Sequence, residues 1–322
     1  MHRYITATLA AVVCALGIVG AAAAAEKKPE IIRFAYQPSH ALFIVANEQG
    51  WFKDEFAKDG TVFEAKNFLA GPPIIEAFAG GRLDFGLVGD QPALLARANN
   101  IDVKTVGVPL SGGRNLGLLL PAGSTVKNVG ELKGKKVAVT VGSVGHHFLF
   151  LLLQQNGLKP SDIQVVNLLP PDIKQAIEQK NVDAAVTWDP FLTIIDSEGS
   201  GKTFIDAEGI KNNANTILVS GEFARTYPEA VDKILRVLLR AEHFIEKDPD
   251  EAARITAKAT GYNLDVVKKV ISHYSYDIRL TPEVLQAYEK TTAFLRDSGI
   301  LRKDVAVSDL VDASFLTRIG AQ

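Results

Sequence analysis

Arg82-Leu83-Asp84-Phe85-Gly86-Leu87-Val88-Gly89-Asp90-Gln91-Pro92 occurs a second time, one residue shorter, as Asn181-Val182-Asp183-Ala184-Ala185-Val186-Thr187-Trp188-Asp189-Pro190. Each copy follows a short amphipathic stretch, from Ile74 to Ala79 and from Ile173 to Gln179. Each reads as helix, tight turn and buried strand, then a Gly-Asp or Trp-Asp step and a proline that permits a new helix. Two lobes on one plan, each setting a strand end beside a helix start, make a ligand clamp. A duplicated structural unit with no ligand role is the alternative.

Outward from this repeat, short β-rich runs alternate with helical ones over the first two thirds of the chain. Strands are predicted at 31–36, 61–67, 85–88, 103–108, 116–120, 136–141, 163–167 and 184–188. Helices are predicted at 40–49, 73–79, 92–98, 129–132, 145–156 and 173–179, several closed by a glycine such as Gly50, Gly80 or Gly157. The alternation predicts an α/β fold of mostly parallel sheets with helices on both faces. From about Pro228 the pattern becomes that of amphipathic helices, at 228–247, 249–260, 264–273 and 282–298. Such a tail packs against a lobe already formed. No low-complexity segment or long linker interrupts the chain.

The first 25 residues carry Arg3, an apolar run and then Ala21 to Ala25, which is the pattern of a cleaved secretory signal peptide; an uncleaved anchor is the other reading. Cleavage before Glu26 removes the single cysteine, Cys14, so no disulfide, thiol nucleophile or cysteine-based metal site is expected. Export without disulfides suits a bacterial periplasm. The remaining 297 residues hold 34 basic and 37 acidic side chains, a balance that favours neither nucleic acid nor an anionic membrane as partner. No later apolar run approaches the roughly 20 residues that span a bilayer.

Four junctions join a strand end to a helix start through small or turn-forming residues. They are Gln37-Pro38-Ser39, Ala70-Gly71-Pro72-Pro73, Gly89-Asp90-Gln91-Pro92 and Gly142-Ser143-Val144-Gly145. Helix starts present unpaired N–H groups and a partial positive charge, so several together can bind an anion without a buried Lys or Arg. Taken singly, each is an ordinary cap. Trp188 is either core or cleft wall, and its place beside Asp189, equivalent to Gly89, assigns it to the cleft. Asp84 and Asp183 precede their strands and read as structural. His146, near a helix start, is either an anion donor or a packed ring, and two neighbouring histidines do not make a metal site. Arg114 reads as a solvated loop residue or an anion screen at the cleft edge.

Enzyme motifs are missing. Gly201-Lys202-Thr203 lacks the leading glycine of a phosphate loop, which is Asp196 here, and neither G-x-S-x-G nor H-E-x-x-H occurs. Several segments instead resemble the periplasmic aliphatic sulfonate-binding proteins of ABC importers. They are Phe34-Ala35-Tyr36-Gln37, Gly50-Trp51-Phe52, Ala70-Gly71-Pro72, Gly89-Asp90-Gln91-Pro92, Gly134-Lys135-Lys136-Val137-Ala138, Gly142-Ser143-Val144-Gly145-His146, Leu169-Pro170-Pro171-Asp172 and Trp188-Asp189-Pro190. The similarity extends to nitrate and taurine receptors and runs from about Ile31 to beyond Ile300.

The resemblance implies a type II periplasmic binding protein fold with a two-crossing hinge. One lobe comprises 31–113 plus 216–322 and the other 114–215. It also implies a sulfonate held by Gln37, Gly71, Pro72, Gly89, the Asp90 backbone, Ser143 and His146, with Trp188 and Asp189 beside the organic tail. No cofactor or metal is implied, and the partners are a small organic anion and an inner-membrane permease, with the receptor a monomer. Taurine receptors of this kind carry an acid near the second crossing. Asn215 stands there instead, which points to an uncharged alkane- or arylsulfonate unless Asp189 or Glu222 substitutes. Two other classes share the fold and stay open: an enzyme, for which His146 or Asp90 would be the acid–base group, and a signalling input module. The thiamine-pyrimidine synthases of this fold use a cysteine-rich motif that the mature chain lacks.

Overall fold

The computed structural model describes residues 27–301 and 303–321; the expected signal peptide, 1–25, lies outside them. Among the described residues ten strands are found: β1 (Ile31–Tyr36), β2 (Val62–Asn67), β3 (Phe85–Gly89), β4 (Val103–Gly107), β5 (Leu116–Pro121), β6 (Lys136–Val139), β7 (Gln164–Asn167), β8 (Ala184–Trp188), β9 (Gly201–Asp206) and β10 (Asn215–Ser220). They form two five-stranded sheets ordered β2-β1-β3-β10-β4 and β7-β6-β8-β5-β9. Each position in one sheet has its counterpart in the other, so the repeat in the sequence is a repeat of topology.

Asp84 and Asp183 show the duplication at atomic detail. Arg33 N–H donates to Asp84 Oδ2 at 2.7 Å, and Lys136 N–H donates to Asp183 Oδ2 at 2.8 Å. Both carboxylates therefore satisfy a backbone N–H of the neighbouring parallel strand at the point where their own strand joins it. They are structural, as their position before the strand suggested.

The sheets are not mostly parallel, as the sequence reading had them. β10 runs antiparallel to both β3 and β4, and β5 antiparallel to both β8 and β9. The reversed strand in each sheet is the one that follows a crossing between lobes, and a chain that leaves one sheet to enter the other arrives with its direction inverted. Strands β9 and β10 are not predicted from the sequence, nor are helices at Trp51–Ala57 and Gly221–Thr226, while the helix that Pro190 permits spans Phe191–Glu198. The two unpredicted helices have seven and six residues, too few for periodicity to separate from a buried loop.

The two crossings, 108–115 and 207–214, run side by side. Asn213 N–H donates to Gly112 O at 2.7 Å, Asn215 N–H to Leu110 O at 3.0 Å and Ala207 N–H to Gly113 O at 3.2 Å. Gly113 is required by this approach, because a Cβ there would stand 2.6 Å from Glu208 Cα. A segment of the helical tail joins the first crossing: Ser111 and Ser275 exchange backbone hydrogen bonds, and Val108 N–H donates to Ile278 O at 3.0 Å.

The tail packs onto the first sheet's lobe, where Val231, Leu235 and Leu238 of helix Pro228–Lys247 join a core with Phe34, Phe43 and Phe52. Rings in that core are stacked, with Phe34 and Phe43 centroids 4.5 Å apart. The second lobe has its own core around Leu118, Val137, Val186, Phe148 and Leu152. Among the described residues no helix is long and apolar enough to cross a membrane.

Candidate functional site in the interlobe cleft

All four strand-to-helix junctions converge on one cavity between the lobes. Its wall includes Gln37 and Ser39 from the first, Gly71 from the second, Gly89 and Pro92 from the third, and Ser143 and Val144 from the fourth. Trp188, Asn213, Asn215 and Tyr274 complete it. Helices Gly71–Ala79, Asp90–Ala98 and Val144–Gln155 all begin here, each preceded by an extended residue: Ala70, Gly89 or Ser143. Two starts come from one lobe and the third from the other. The positive ends of three helix dipoles meet there, and among the described residues no Lys or Arg is in the wall.

The cavity measures about 20 Å³, room for little more than a water molecule. The lobes are thus closed against each other. They approach closely at Gly89, where a Cβ would come 2.2 Å from Val144 Cγ1. Pro72 sits just outside, against Gly142 of the opposite lobe.

Ser143 is first of all a helix cap. Its Oγ accepts from Gly145 N–H at 3.1 Å and from His146 N–H at 3.4 Å, and its own hydrogen goes to Thr140 O at 2.7 Å. Gln37 donates from Nε2 to Leu87 O at 3.1 Å, which leaves its carbonyl and second N–H available.

Behind the cavity wall runs a directed chain of hydrogen bonds that links both hinge crossings. Gln37 N–H donates to His40 Nδ1 at 3.0 Å, so His40 must carry its proton on Nε2, which faces Asn215 Oδ1 at 3.1 Å. Asn215 Nδ2 then donates to Asn213 Oδ1 at 3.2 Å, and Asn213 Nδ2 to Asn115 Oδ1 at 2.8 Å. Burial pushes the His40 pKa down to about 4, against the smaller opposing pull of its hydrogen bonds. Burial and the nearby Asp189 charge raise the Tyr274 phenol well above its usual range, so it stays a neutral wall group.

Of the expected ligand residues, Pro72, His146 and Asp189 do not line this cavity, and Asp90 was expected there through its backbone alone. Asp189 does not line it: Oδ1 accepts from Thr193 N–H at 3.1 Å and Oδ2 meets His273 Nδ1 at 2.7 Å, across the lobes. His146 is half-buried, packs on Phe150 with centroids 4.3 Å apart, and accepts from Gly142 N–H at 3.4 Å. Burial lowers its pKa. The Asp90 side chain points away from the cavity, with Oδ1 accepting from Gln91 N–H at 2.9 Å and Oδ2 taking Lys211 Nζ at 2.7 Å and Thr291 Oγ1 at 2.5 Å. Both charges of the Asp90–Lys211 pair are buried, at 0% and 3% exposure. Thus Asp90 and Asp189, the second aspartate of each repeat copy, each take a hydrogen-bonding partner from beyond their own lobe.

Arg114 is exposed and lies near Glu208, 3.6 Å away, as a solvated loop residue would. Glu222 borders a different surface hollow with Asp102 and Arg225. Sequence reading passed over Asn213 and Tyr274. Both sit in segments without strand or helix periodicity, and only the closeness of Asn213 to Asn215 could have drawn attention to one of them. Ser39 stood within a quoted junction but was not singled out.

Comparisons with known proteins agree with this architecture. A family model described as NMT1/THI5-like matches residues 37–252. A Bacillus subtilis protein named for binding aliphatic sulfonates is 31% identical over 96% of this chain and 95% of its own. The taurine-binding periplasmic protein of Escherichia coli is 26% identical over 83% of this chain and 87% of its own. The solved structure of the alkanesulfonate-binding protein from Xanthomonas axonopodis pv. citri, bound to MOPS, superposes with a TM-score of 0.82 at 27% identity, covering 89% of this chain and 99% of that one. Two α/β lobes joined by a double-crossing hinge are the periplasmic binding protein fold. By fold, family model and near-complete alignment, the chain belongs to the NMT1/THI5-like family.

Proposed function

We propose that this protein is the substrate-binding receptor of an ABC importer, that it captures a small organic sulfonate between its lobes, and that it hands this ligand to an inner-membrane permease. The carrying observation is the convergence of three helix starts, from both lobes, on a cavity walled by uncharged groups. Such a wall suits a weakly basic, strongly delocalised anion. Backbone N–H groups at Gly71, Gly89 and Asp90 would hold the sulfonate oxygens with Gln37 and Ser143, and Trp188 would pack on the first carbons of the tail. Sulfonate- and taurine-binding relatives support the ligand class.

Alkanesulfonates are favoured over taurine. An ammonium group needs a carboxylate, and none lines the cavity: Asn215 is a neutral amide, Asp189 is engaged by His273, and Glu222 lies elsewhere. The lobes of this receptor comprise 31–113 plus 216–322 and 114–215. It acts as a monomer in the periplasm after removal of residues 1–25, and it does not transform its ligand. Closure selects the bound form because only the closed state surrounds the anion from both lobes. Incubation with hexanesulfonate followed by mass spectrometry of the released ligand tests the receptor reading. Intact hexanesulfonate is expected, and a desulfonated product would make the protein an enzyme.

A further inference from the structure

A second interlobe space lies beside the cavity. It is a groove of about 520 Å³ between helix Val144–Gln155 of one lobe and helix Pro282–Asp297 of the other. His147, Leu151, Ile210, Lys211, Gln286 and Ala287 contribute to its walls. The two spaces share a wall: Val144 borders the cavity, while His147 and Leu151, further along the same helix, border the groove. At 1.5 Å of rise per residue these lie about 4.5 Å and about 10 Å along the axis from Val144. The segment that supplies Asn213 and Asn215 to the cavity likewise supplies Ile210 and Lys211 to the groove.

His147 marks the groove as more than a packing gap. Its ring is 3% exposed and stacks on Phe294 of the opposite lobe with centroids 4.0 Å apart. Neither ring nitrogen has a hydrogen-bond partner among the described residues. A buried imidazole normally satisfies both nitrogens, since an unmet polar atom is costly. Leu151, Ile210 and Ala287 give the groove apolar surface beside the charged Lys211, Glu283 and Lys290, which suits a carbon chain that ends in a heteroatom.

We infer that this groove is a tail compartment: it receives sulfonates whose chain outgrows the cavity and ends in a neutral hydrogen-bonding group, which His147 meets. This rests on the sulfonate reading of the cavity. The tail is laid along the Val144–Leu151 face while the lobes are apart and is covered as they close. Ethanesulfonate is too short to reach His147, whereas a propanesulfonate carrying a morpholine ring reaches it.

The test is calorimetric titration of the wild type and three variants with ethanesulfonate, hexanesulfonate and MOPS. Ala287→Phe and Gln286→Trp fill the groove, the second at an exposed position that leaves the fold intact. His147→Phe keeps the stack on Phe294 and removes the ring nitrogens. The expected result is ethanesulfonate binding within about twofold of wild type in all variants, with hexanesulfonate and MOPS weakened about tenfold or more by the filling variants. His147→Phe should weaken MOPS and spare hexanesulfonate. MOPS binding that is indifferent to Ala287→Phe and Gln286→Trp, with ethanesulfonate still bound, overturns the compartment. Equal loss of MOPS and hexanesulfonate in His147→Phe overturns the role of the imidazole. If no sulfonate binds the wild type, the reading of the cavity itself fails, and the groove inference falls with it.

Discussion

Replacing Gly89 by alanine should separate closure from folding. Gly89 has φ −69° and ψ 166°, a conformation that alanine adopts freely, so the lobe that carries it is not strained. Across the cleft the new Cβ would meet Val144 Cγ1 at 2.2 Å and Val144 Cβ at 3.5 Å. The first contact is more than 1 Å inside ordinary van der Waals range. Val144 is β-branched and helical, so its methyl cannot swing aside without leaving its preferred rotamer. Overpacking of this kind costs roughly 1–3 kcal/mol. Because the clash exists only when the lobes meet, it should appear almost wholly in ligand binding, as a loss of about fivefold to 150-fold. The melting temperature of the ligand-free protein should hold or rise slightly, since alanine restricts the unfolded chain. Calorimetric titration with hexanesulfonate measures the first effect and thermal unfolding the second. Val144→Ala removes the clashing methyl and should restore most of the affinity in the double variant. Unchanged affinity in Gly89→Ala, or a double variant no better than the single, would refute the view that ligand binding requires this closed contact.

Other expectations follow from the same geometry. Ser143→Ala deletes the helix cap and should lower stability by about 1 kcal/mol. It should also weaken sulfonate binding by about 1–2 kcal/mol, because the hydroxyl can turn from Thr140 to the anion; lost stability with unchanged affinity would leave Ser143 a cap alone. Lys211→Met strands the buried Asp90 and should destabilise the closed, ligand-bound protein by about 3 kcal/mol, part of which Asp90→Asn recovers. Strict additivity of the two in denaturant unfolding with saturating hexanesulfonate would mean that the pair is not formed in the closed protein. Burial holds His40 and His147 below their unfolded pKa values, His40 at about 4, so the folded protein binds fewer protons than the unfolded chain. Their stabilising contribution is complete above about pH 6.5 and is lost as pH falls through that value toward 4, by up to about 1.4 kcal/mol per pH unit for each ring. Glu242, which burial raises to about 7, takes up a proton in the fold over the same range and offsets part of this loss; in Glu242→Gln, a flat unfolding free energy between pH 6.5 and 5 would contradict the burial of both.

The framework of the fold was readable because its strands are short, apolar and punctuated by glycine and proline; β1 and β8 begin and end where the pattern placed them. Direction was not readable. That β5 and β10 are reversed follows from the chain's passage between sheets, which no local periodicity records. Four junction motifs pointed to one cavity because each encodes a strand end followed by a helix start, and the fold collects all of them in the cleft. Side-chain assignments were harder. Asp189 stands in a conspicuous motif, yet its carboxylate is drawn to His273, which lies 84 residues later in the helical tail. Tyr274 enters the wall from the same tail, and only the packed structure shows it.

The most direct test of the account is a thermal-shift comparison of the mature protein with alkanesulfonates of rising chain length, arylsulfonates, taurine, nitrate and sulfate. A ligand at one hundred times its dissociation constant adds about 2.7 kcal/mol of stability, which is readily seen as a melting shift. The account predicts clear shifts with uncharged sulfonates, a smaller one with taurine, and none with nitrate or sulfate. A shift with nitrate, or none with any sulfonate, would contradict it.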